Sequence, residues 1–165
     1  MIDLRTAHLP QETDALLVLN NAAVPAVNAL DAEAFDALAA IGEVRVALSD
    51  GVIAGFVLTL GPGRDYASLN YRWFDGRYDA FWYVDRVIVG EVARGKGVGR
   101  ALYDDVMTRA KLKGFPRVCA EVNVEPPNPV SIAFHKSAGF LVLEERYNGE
   151  DDKTVAMMTR PVEAA

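Results

Sequence analysis

Cysteine occurs once in the 165 residues, as Cys119, so the chain has no internal disulfide and no cysteine cage for a metal. Histidine occurs only as His8 and His135, far apart in sequence, and no metal site is expected. No apolar run reaches the ~18 residues that a membrane-crossing helix needs, and no charged-then-apolar segment opens the chain. The expectation is a soluble, cytoplasmic protein with no membrane partner. Excess positive charge is missing too: 17 Lys and Arg against 23 Asp and Glu give a net charge of −6, which argues against a nucleic-acid partner. Any local basic cluster on such a chain is therefore informative. Repeats, low-complexity tracts and linkers are also lacking, so residues 1–165 read as one domain, and 51% hydrophobic content is enough for a real core.

What is present reads as alternating strands and helices. "MIDLRTA" is a short strand, and "PQETDALLVLNN" is a helix with Pro10 at its start. "LDAEAFDALAAIG" is a second helix, with Asp31 as N-cap and Gly42 as terminator. "VRVALSDGVIAGFVLTL" is two strands hinged on Asp50-Gly51, a strong hairpin signal. The connection over 61–81 is long for a compact domain and carries Tyr66, Tyr71, Trp73, Phe74, Tyr78 and Phe81. These aromatics argue against disorder; the segment is either a flap on the core or one wall of a binding site. "WYVDRVIV" and "RVCAEVNV" are strands, and within the second Cys119 reads as a buried structural thiol. "NPVSIAFHKSAGF" is a short helix with Asn128 at N-cap, Pro129 at N1 and Gly139 as its stop. "FLVLEERY" and "KTVAMMTRPV", joined through "NGEDD", close the chain as two strands.

The stretch "VIVGEVARGKGVGRAL" poses the functional question. Gly95, Gly97 and Gly99 alternate with Lys96 and Val98, and Arg94 and Arg100 flank them, at the mouth of the helix "VGRALYDDVMTRA". Glycines let the backbone approach a ligand closely, and the first N–H groups of a helix lack partners and favour negative charge. The ligand this suits is an anion, phosphate above all. A P-loop is excluded because no Lys-Ser/Thr pair follows the glycines. A dinucleotide-binding turn fits poorly, because Arg100 occupies the third glycine position.

Arg94-Gly95-Lys96-Gly97-Val98-Gly99 resembles the R/Q-x-x-G-x-G/A signature of the GNAT superfamily, the acyl-CoA-dependent N-acyltransferases. Downstream, "NPVSIAFHKSAGF" is similar to that superfamily's second landmark, Asn-x-x-Ala-x-x-(Leu/Phe)-Tyr-x-x-x-Gly-Phe. Asn128 and Gly139-Phe140 fall in place, while Ser131 stands where Ala is usual and His135 where Tyr is usual. The resemblance implies an α/β fold with a mixed, mostly antiparallel sheet of about seven strands, splayed in the middle and flanked by about four helices. It implies acetyl-CoA as cofactor and N-acetyl transfer to an amine of a small molecule or peptide. The other reading is a non-catalytic acyl-CoA-binding sensor. A homodimer is a further expectation, since dimers are common in the superfamily.

Residue by residue, the resemblance sets the coenzyme A pyrophosphate on the amides of Arg94, Gly95, Lys96, Gly97, Val98 and Gly99, with Arg94, Lys96 and Arg100 neutralising phosphate charge. Arg100 also reads as a solvated helix position. The pantetheine arm would pair with the backbone over Val87, Ile88 and Val89, and Asn128 would contact its amide links. The Val89 N–H is also a candidate donor to the thioester carbonyl. Attack by an amine needs a proton acceptor, because a free amine is mostly protonated at pH 7. Asp85 is the leading candidate and Glu121 the alternate; an ion pair for Asp85 and an ordered-water relay both stay open. His135 is the candidate proton donor to the departing thiolate, or no side chain plays that part. Trp73 and Phe74 are the candidate acceptor contacts, facing the "NNAAVPAVNAL" segment.

Overall fold

The computed structural model describes residues 1–163. Asp50 and Gly51 both take positive φ, 51° and 80°, the handedness that suits a two-residue turn between twisted antiparallel strands. They join β2 (Glu43–Ser49) to β3 (Val52–Leu60), and β1 (Ile2–Thr6) pairs antiparallel with β2 on its other edge. Between β1 and β2 lie α1 (Thr13–Ala22) and α2 (Ala32–Ile41). The Asp31 side chain accepts from the Ala34 N–H at 2.8 Å, so the expected N-cap forms. Helix α1 starts at Thr13, three residues after Pro10. Glu12, at the capping position, accepts instead from Arg5 at 2.6 and 3.1 Å and from the His8 N–H at 2.7 Å. The charged pair wins the carboxylate from the helix end, and Arg5 holds the Glu12 carboxyl below the usual carboxylate range.

Beyond β3 the long connection over 61–81 contains a helix that the sequence reading did not assign. Residues Leu69–Arg77 form α3, capped by Ser68, whose Oγ accepts from the Tyr71 N–H at 3.2 Å. Tyr71 and Phe74, three residues apart, are its buried side chains. A helix that buries one short aromatic stripe and is otherwise polar gives almost no periodic signal, which is why sequence spacing misses it. Among the described residues there are thus five α-helices, in line with the expectation of about four. After α3 come β4 (Trp82–Val89), one 3₁₀ turn (Glu91–Ala93), α4 (Val98–Leu112), β5 (Arg117–Glu125), α5 (Pro129–Ser137), β6 (Leu141–Asn148) and β7 (Lys153–Pro161). No helix among the described residues is long and apolar enough to cross a membrane.

The seven strands lie in the order β1-β2-β3-β4-β5-β7-β6. Pairing is antiparallel for β5 with β7 and for β7 with β6, and parallel for β4 with β5. The parallel ladder is short: Trp82↔Val118 and Tyr83↔Cys119. So short a join in mid-sheet is what the expected splay requires.

The chain gathers into two compact units, Met1–Leu60 with Arg86–Val106, and Gly61–Asp85 with the residues from Met107 on. Strand β4 and helix α4 each pass from one unit to the other. In the first unit Leu16 of α1 and Phe35 and Leu38 of α2 are buried with Val44, Val46, Phe56 and Leu58 of the sheet, and Phe35 meets Phe56 edge-on at 6.3 Å. In the second, Tyr71, Phe74, Phe81 and Tyr83 form an aromatic cluster with centroid separations of 5.3–6.5 Å.

Gly55 in β3 sets the spacing of the first unit. A Cβ built there would lie 2.5 Å from the Ile88 carbonyl oxygen and 3.2 Å from Val98 Cγ1, so strand and helix approach closely because this residue has no side chain. Gly55→Ala is expected to destabilise the fold by about 1–3 kcal/mol through overpacking. Denaturant unfolding should show a lower midpoint with unchanged slope; an unmoved midpoint contradicts the close approach.

Candidate active site

Backbone geometry at the glycine turn comes from the sequence directly. Gly95 and Gly97 have φ of 76° and 85°, the left-handed region that L side chains disfavour. Nothing lies within 4 Å of a Cβ built at either, so conformation, not space, demands glycine there. Arg94, Gly95, Lys96, Gly97 and Arg100 are exposed, while Val98 is buried and anchors the start of α4. The Gly97 carbonyl accepts from the Ala101 N–H at 3.0 Å, which opens the helix. Among the described residues, the N–H groups of Gly97, Val98, Gly99 and Arg100 find no backbone acceptor. Three cationic side chains and a row of unpaired amides at a helix mouth fit a diphosphate.

Along β4, Asp85, Val87 and Val89 are half-buried, and Arg86 and Ile88, between them, are buried, which is the strand alternation expected for this segment. The Asp85 Oδ1 accepts from the Tyr66 hydroxyl at 2.5 Å. Glu121, on β5, accepts from the Tyr83 hydroxyl at 2.8 Å on both oxygens, and Asn70 Nδ2 lies 3.4 Å from Oε1. Burial pushes the Tyr83 phenol well above its usual range, and the Glu121 and Asp85 charges add to that, so it stays a neutral donor. The two carboxylates proposed from sequence therefore flank one buried phenol.

Within the first unit, Arg86 donates to Asn20 Oδ1 and Asn28 Oδ1, each at 2.9 Å, and lies 3.4 Å from the Asn28 carbonyl. Asn21 exchanges hydrogen bonds of 3.0 Å with both backbone groups of Leu30. These bonds hold the connection between α1 and α2, the "NNAAVPAVNAL" segment expected beside the acceptor.

On α5, Asn128 Oδ1 accepts from the Ser131 N–H at 3.3 Å, so Asn128 caps the helix. It also lines an open groove of about 390 Å³ with Asn123, Ile132, Lys136 and Glu145. His135 is 4% exposed, between Phe134 and Phe140. Its Nδ1 lies 2.7 Å from the Ser131 carbonyl oxygen, which can only accept, so Nδ1 carries the proton. Desolvation lowers the imidazole's pKa, outweighing the bond to Ser131. A ring held neutral fits the reading in which no side chain protonates the thiolate.

That burial has a measurable cost in acid. The unfolded imidazole, with a pKa near ~6.5, binds a proton that the folded one resists, so stability contributed by neutral His135 is present above that pH and lost as pH falls through the folded value. The melting midpoint of His135→Gln is expected to fall less than that of the parent chain between pH 7.5 and 5.5. Equal falls contradict the buried neutral ring.

Of the two aromatics assigned to the acceptor, Phe74 is fully buried in the cluster with Tyr71, Phe81 and Tyr83, and Trp73 is half-buried. The correction follows from α3: adjacent helical positions point about 100° apart, so one of the pair faces the core. Cys119 is fully buried, and its thiol is pushed up to about 12, as a structural residue requires. Tyr66 lay in the segment read as a possible binding-site wall, whereas the positions of Asn70, Tyr83, Arg86 and Asn20 around the candidate residues and the close approach at Gly55 were not legible. Gly55, a glycine inside a β-branched run, carried a usable signal; the others are polar residues whose partners lie up to 66 positions away.

A turn of left-handed glycines feeding a helix, a mixed seven-stranded sheet with a short parallel join and two tyrosine-bound carboxylates on neighbouring strands are the features of a mixed α/β protein. The family model described as the acetyltransferase (GNAT) family matches residues 18–140, and the chain belongs to that family. Among solved structures, the ribosomal-protein-S18-alanine N-acetyltransferase from Escherichia coli matches at 16% identity and a TM-score of 0.74, over 100% of this chain and 96% of that one. Ard1 from Thermoplasma volcanium matches at 18% identity and 0.76, over 98% of each. The yncA protein from Salmonella typhimurium, solved with its cofactor acetyl-CoA, matches at 20% identity and 0.71, over 100% and 96%. At these identities the likeness establishes the fold. No curated protein matches the chain.

Proposed function

We propose that this protein is an N-acetyltransferase that uses acetyl-CoA to acetylate a primary amine. The observation that carries the reading is the turn at Gly95 and Gly97, with positive φ, exposed Arg94, Lys96 and Arg100, and unpaired amides at the mouth of α4. Those amides and cations would hold the diphosphate. The backbone of Val87, Ile88 and Val89 would hold the pantetheine arm, with Asn128 near its amide links. When bound, acetyl-CoA supplies an acyl group already activated as a thioester.

The chain's own residues do the rest. The Asp85 and Glu121 carboxylates draw in an ammonium and Glu121 takes its proton; attack of the neutral amine on the thioester carbonyl would then form the C–N bond as the C–S bond breaks, with the second amine proton passing to the departing thiolate. Tyr83, neutral and buried, orients Glu121, and Tyr66 orients Asp85. Trp73 contributes to the acceptor's surroundings. The Arg86 network fixes the connection between α1 and α2 on the acceptor side.

The first acceptors to test are peptides that begin with alanine, because two proteins of the same fold are named for alanine N-acetylation. Purified protein mixed with acetyl-CoA and a panel of peptides and small amines should release free thiol, and mass spectrometry should find the acetylated amine. Coenzyme A binding by calorimetry without turnover on any amine supports the sensor reading; no binding at all rejects both.

A further inference from the structure

An acidic chain carries, on the surface around α3, a run of three guanidinium groups alternating with two aromatic rings. Arg146 of β6 lies with Cζ 5.6 Å from the centre of the Trp73 ring, and Arg77 of α3 lies 4.9 Å from the same centre. Arg77 is also 5.9 Å from the centre of the Tyr78 ring, and Arg117 of β5 is 4.0 Å from it. The order is Arg146, Trp73, Arg77, Tyr78, Arg117, and all five belong to the same compact unit.

Ring faces attract guanidinium groups, but three like charges in one run also repel one another. Protein carboxylates do little to relieve this. Among the described residues, the Arg77 and Arg117 side chains make no hydrogen bond and no ion pair within 4 Å, although Asp79 follows Tyr78 directly in sequence. Arg146 has Glu144 at 3.8 Å, and both side chains are close to half exposed. A guanidinium stacked on a ring keeps its N–H edge turned to the side, and that edge matches a carboxylate with two parallel hydrogen bonds. The rings hold the guanidinium groups in one row, Arg117 with its Nε buried and without a hydrogen-bond partner, and leave the exposed N–H groups of Arg77 and Arg146 able to meet an anion from another molecule.

We infer that this surface binds an acidic segment of a polypeptide. Three cations in a short row suit two or three carboxylates, whereas the net charge of −6 repels a long polyanion such as nucleic acid. In sequence the chain runs from α3 and Tyr78 into β4, and the glycine turn follows β4. The bound polypeptide is the acceptor, with its acidic residues downstream of the amine that is acetylated. That last assignment rests on the transferase reading; the binding does not.

The test separates the two. The full chain, without acetyl-CoA, is titrated by calorimetry with an Ala-first octapeptide holding three glutamates, its glutamine counterpart and an eight-base single-stranded oligouridine. The glutamate peptide is expected to bind about tenfold or more tighter than the glutamine one, with affinity falling as salt rises. The double variant Arg77→Gln/Arg117→Gln, checked for an unchanged circular dichroism spectrum, should lose that preference, and Arg77→Lys should keep part of it. If the double variant misfolds, the salt dependence and the glutamate-to-glutamine ratio of the parent chain decide. Equal binding of the two peptides overturns the proposal, as does tighter binding of the oligonucleotide or full retention of the preference in the double variant. Acetyl transfer to the same peptides is measured separately. Selective binding without turnover leaves the surface assignment standing and removes the transferase reading, and turnover without selectivity does the reverse.

Discussion

Glu121→Gln is expected to lower kcat for acetyl transfer by about 10²–10⁴-fold while leaving the dissociation constant of coenzyme A unchanged. Sequence spacing favours Asp85 as the proton acceptor, because Asp85 shares a strand face with Val87 and Val89. The hydrogen bonds reverse that order. Asp85 is held by the Tyr66 hydroxyl at 2.5 Å, whereas Glu121 receives the Tyr83 hydroxyl across both oxygens at 2.8 Å. One phenol proton shared between two carboxylate oxygens leaves Glu121 with acceptor capacity for an incoming ammonium. Asp85→Asn is accordingly expected to cost about tenfold or less, mainly through loss of the Tyr66 contact. Steady-state rates at saturating acetyl-CoA, with binding measured separately, check both. A Glu121→Gln variant with parental kcat removes Glu121 as the base; a loss concentrated in Asp85→Asn restores the first choice.

The double variant Gly95→Ala/Gly97→Ala should weaken coenzyme A binding with little change in melting midpoint. An L residue in the left-handed region costs roughly 1–2 kcal/mol, so two together amount to about 2–4 kcal/mol, or about 30- to 800-fold in dissociation constant if the turn must keep its shape to bind. Stability is spared because both positions are exposed and a new Cβ meets nothing within 4 Å, so the free protein relaxes the turn without disturbing the core. Calorimetric titration with coenzyme A and a thermal melt of the free protein read the two effects apart. Undiminished affinity would show that the amides of this turn do not carry the diphosphate. A large drop in midpoint with no change in affinity would make the turn a structural element alone.

The features legible in the sequence are the local ones. Asp31, Asn128 and Asp50-Gly51 each act through backbone groups within three residues, and the structure has the two caps and the hairpin in place. The glycine turn belongs with them, since positive φ at Gly95 and Gly97 depends on the absence of their own side chains. Helix α3 lies at the edge of legibility: Ser68 caps it, but its two buried aromatics are too few to set a period. Phe74 and Trp73, adjacent in sequence, part company because that helix turns one of them into the core.

What the chain determined by itself is the order of strands and helices apart from α3, and a left-handed glycine turn at the mouth of a helix, because these follow from periodicity, capping and backbone freedom over a few residues. Tertiary structure alone decided that Tyr83 meets Glu121, that Tyr66 meets Asp85, that Arg86 reaches Asn20 and Asn28, and that His135 is buried and neutral. Those outcomes depend on which polar groups share a low-dielectric neighbourhood after folding. Partners separated by 19 to 66 positions leave no spacing for a sequence to display.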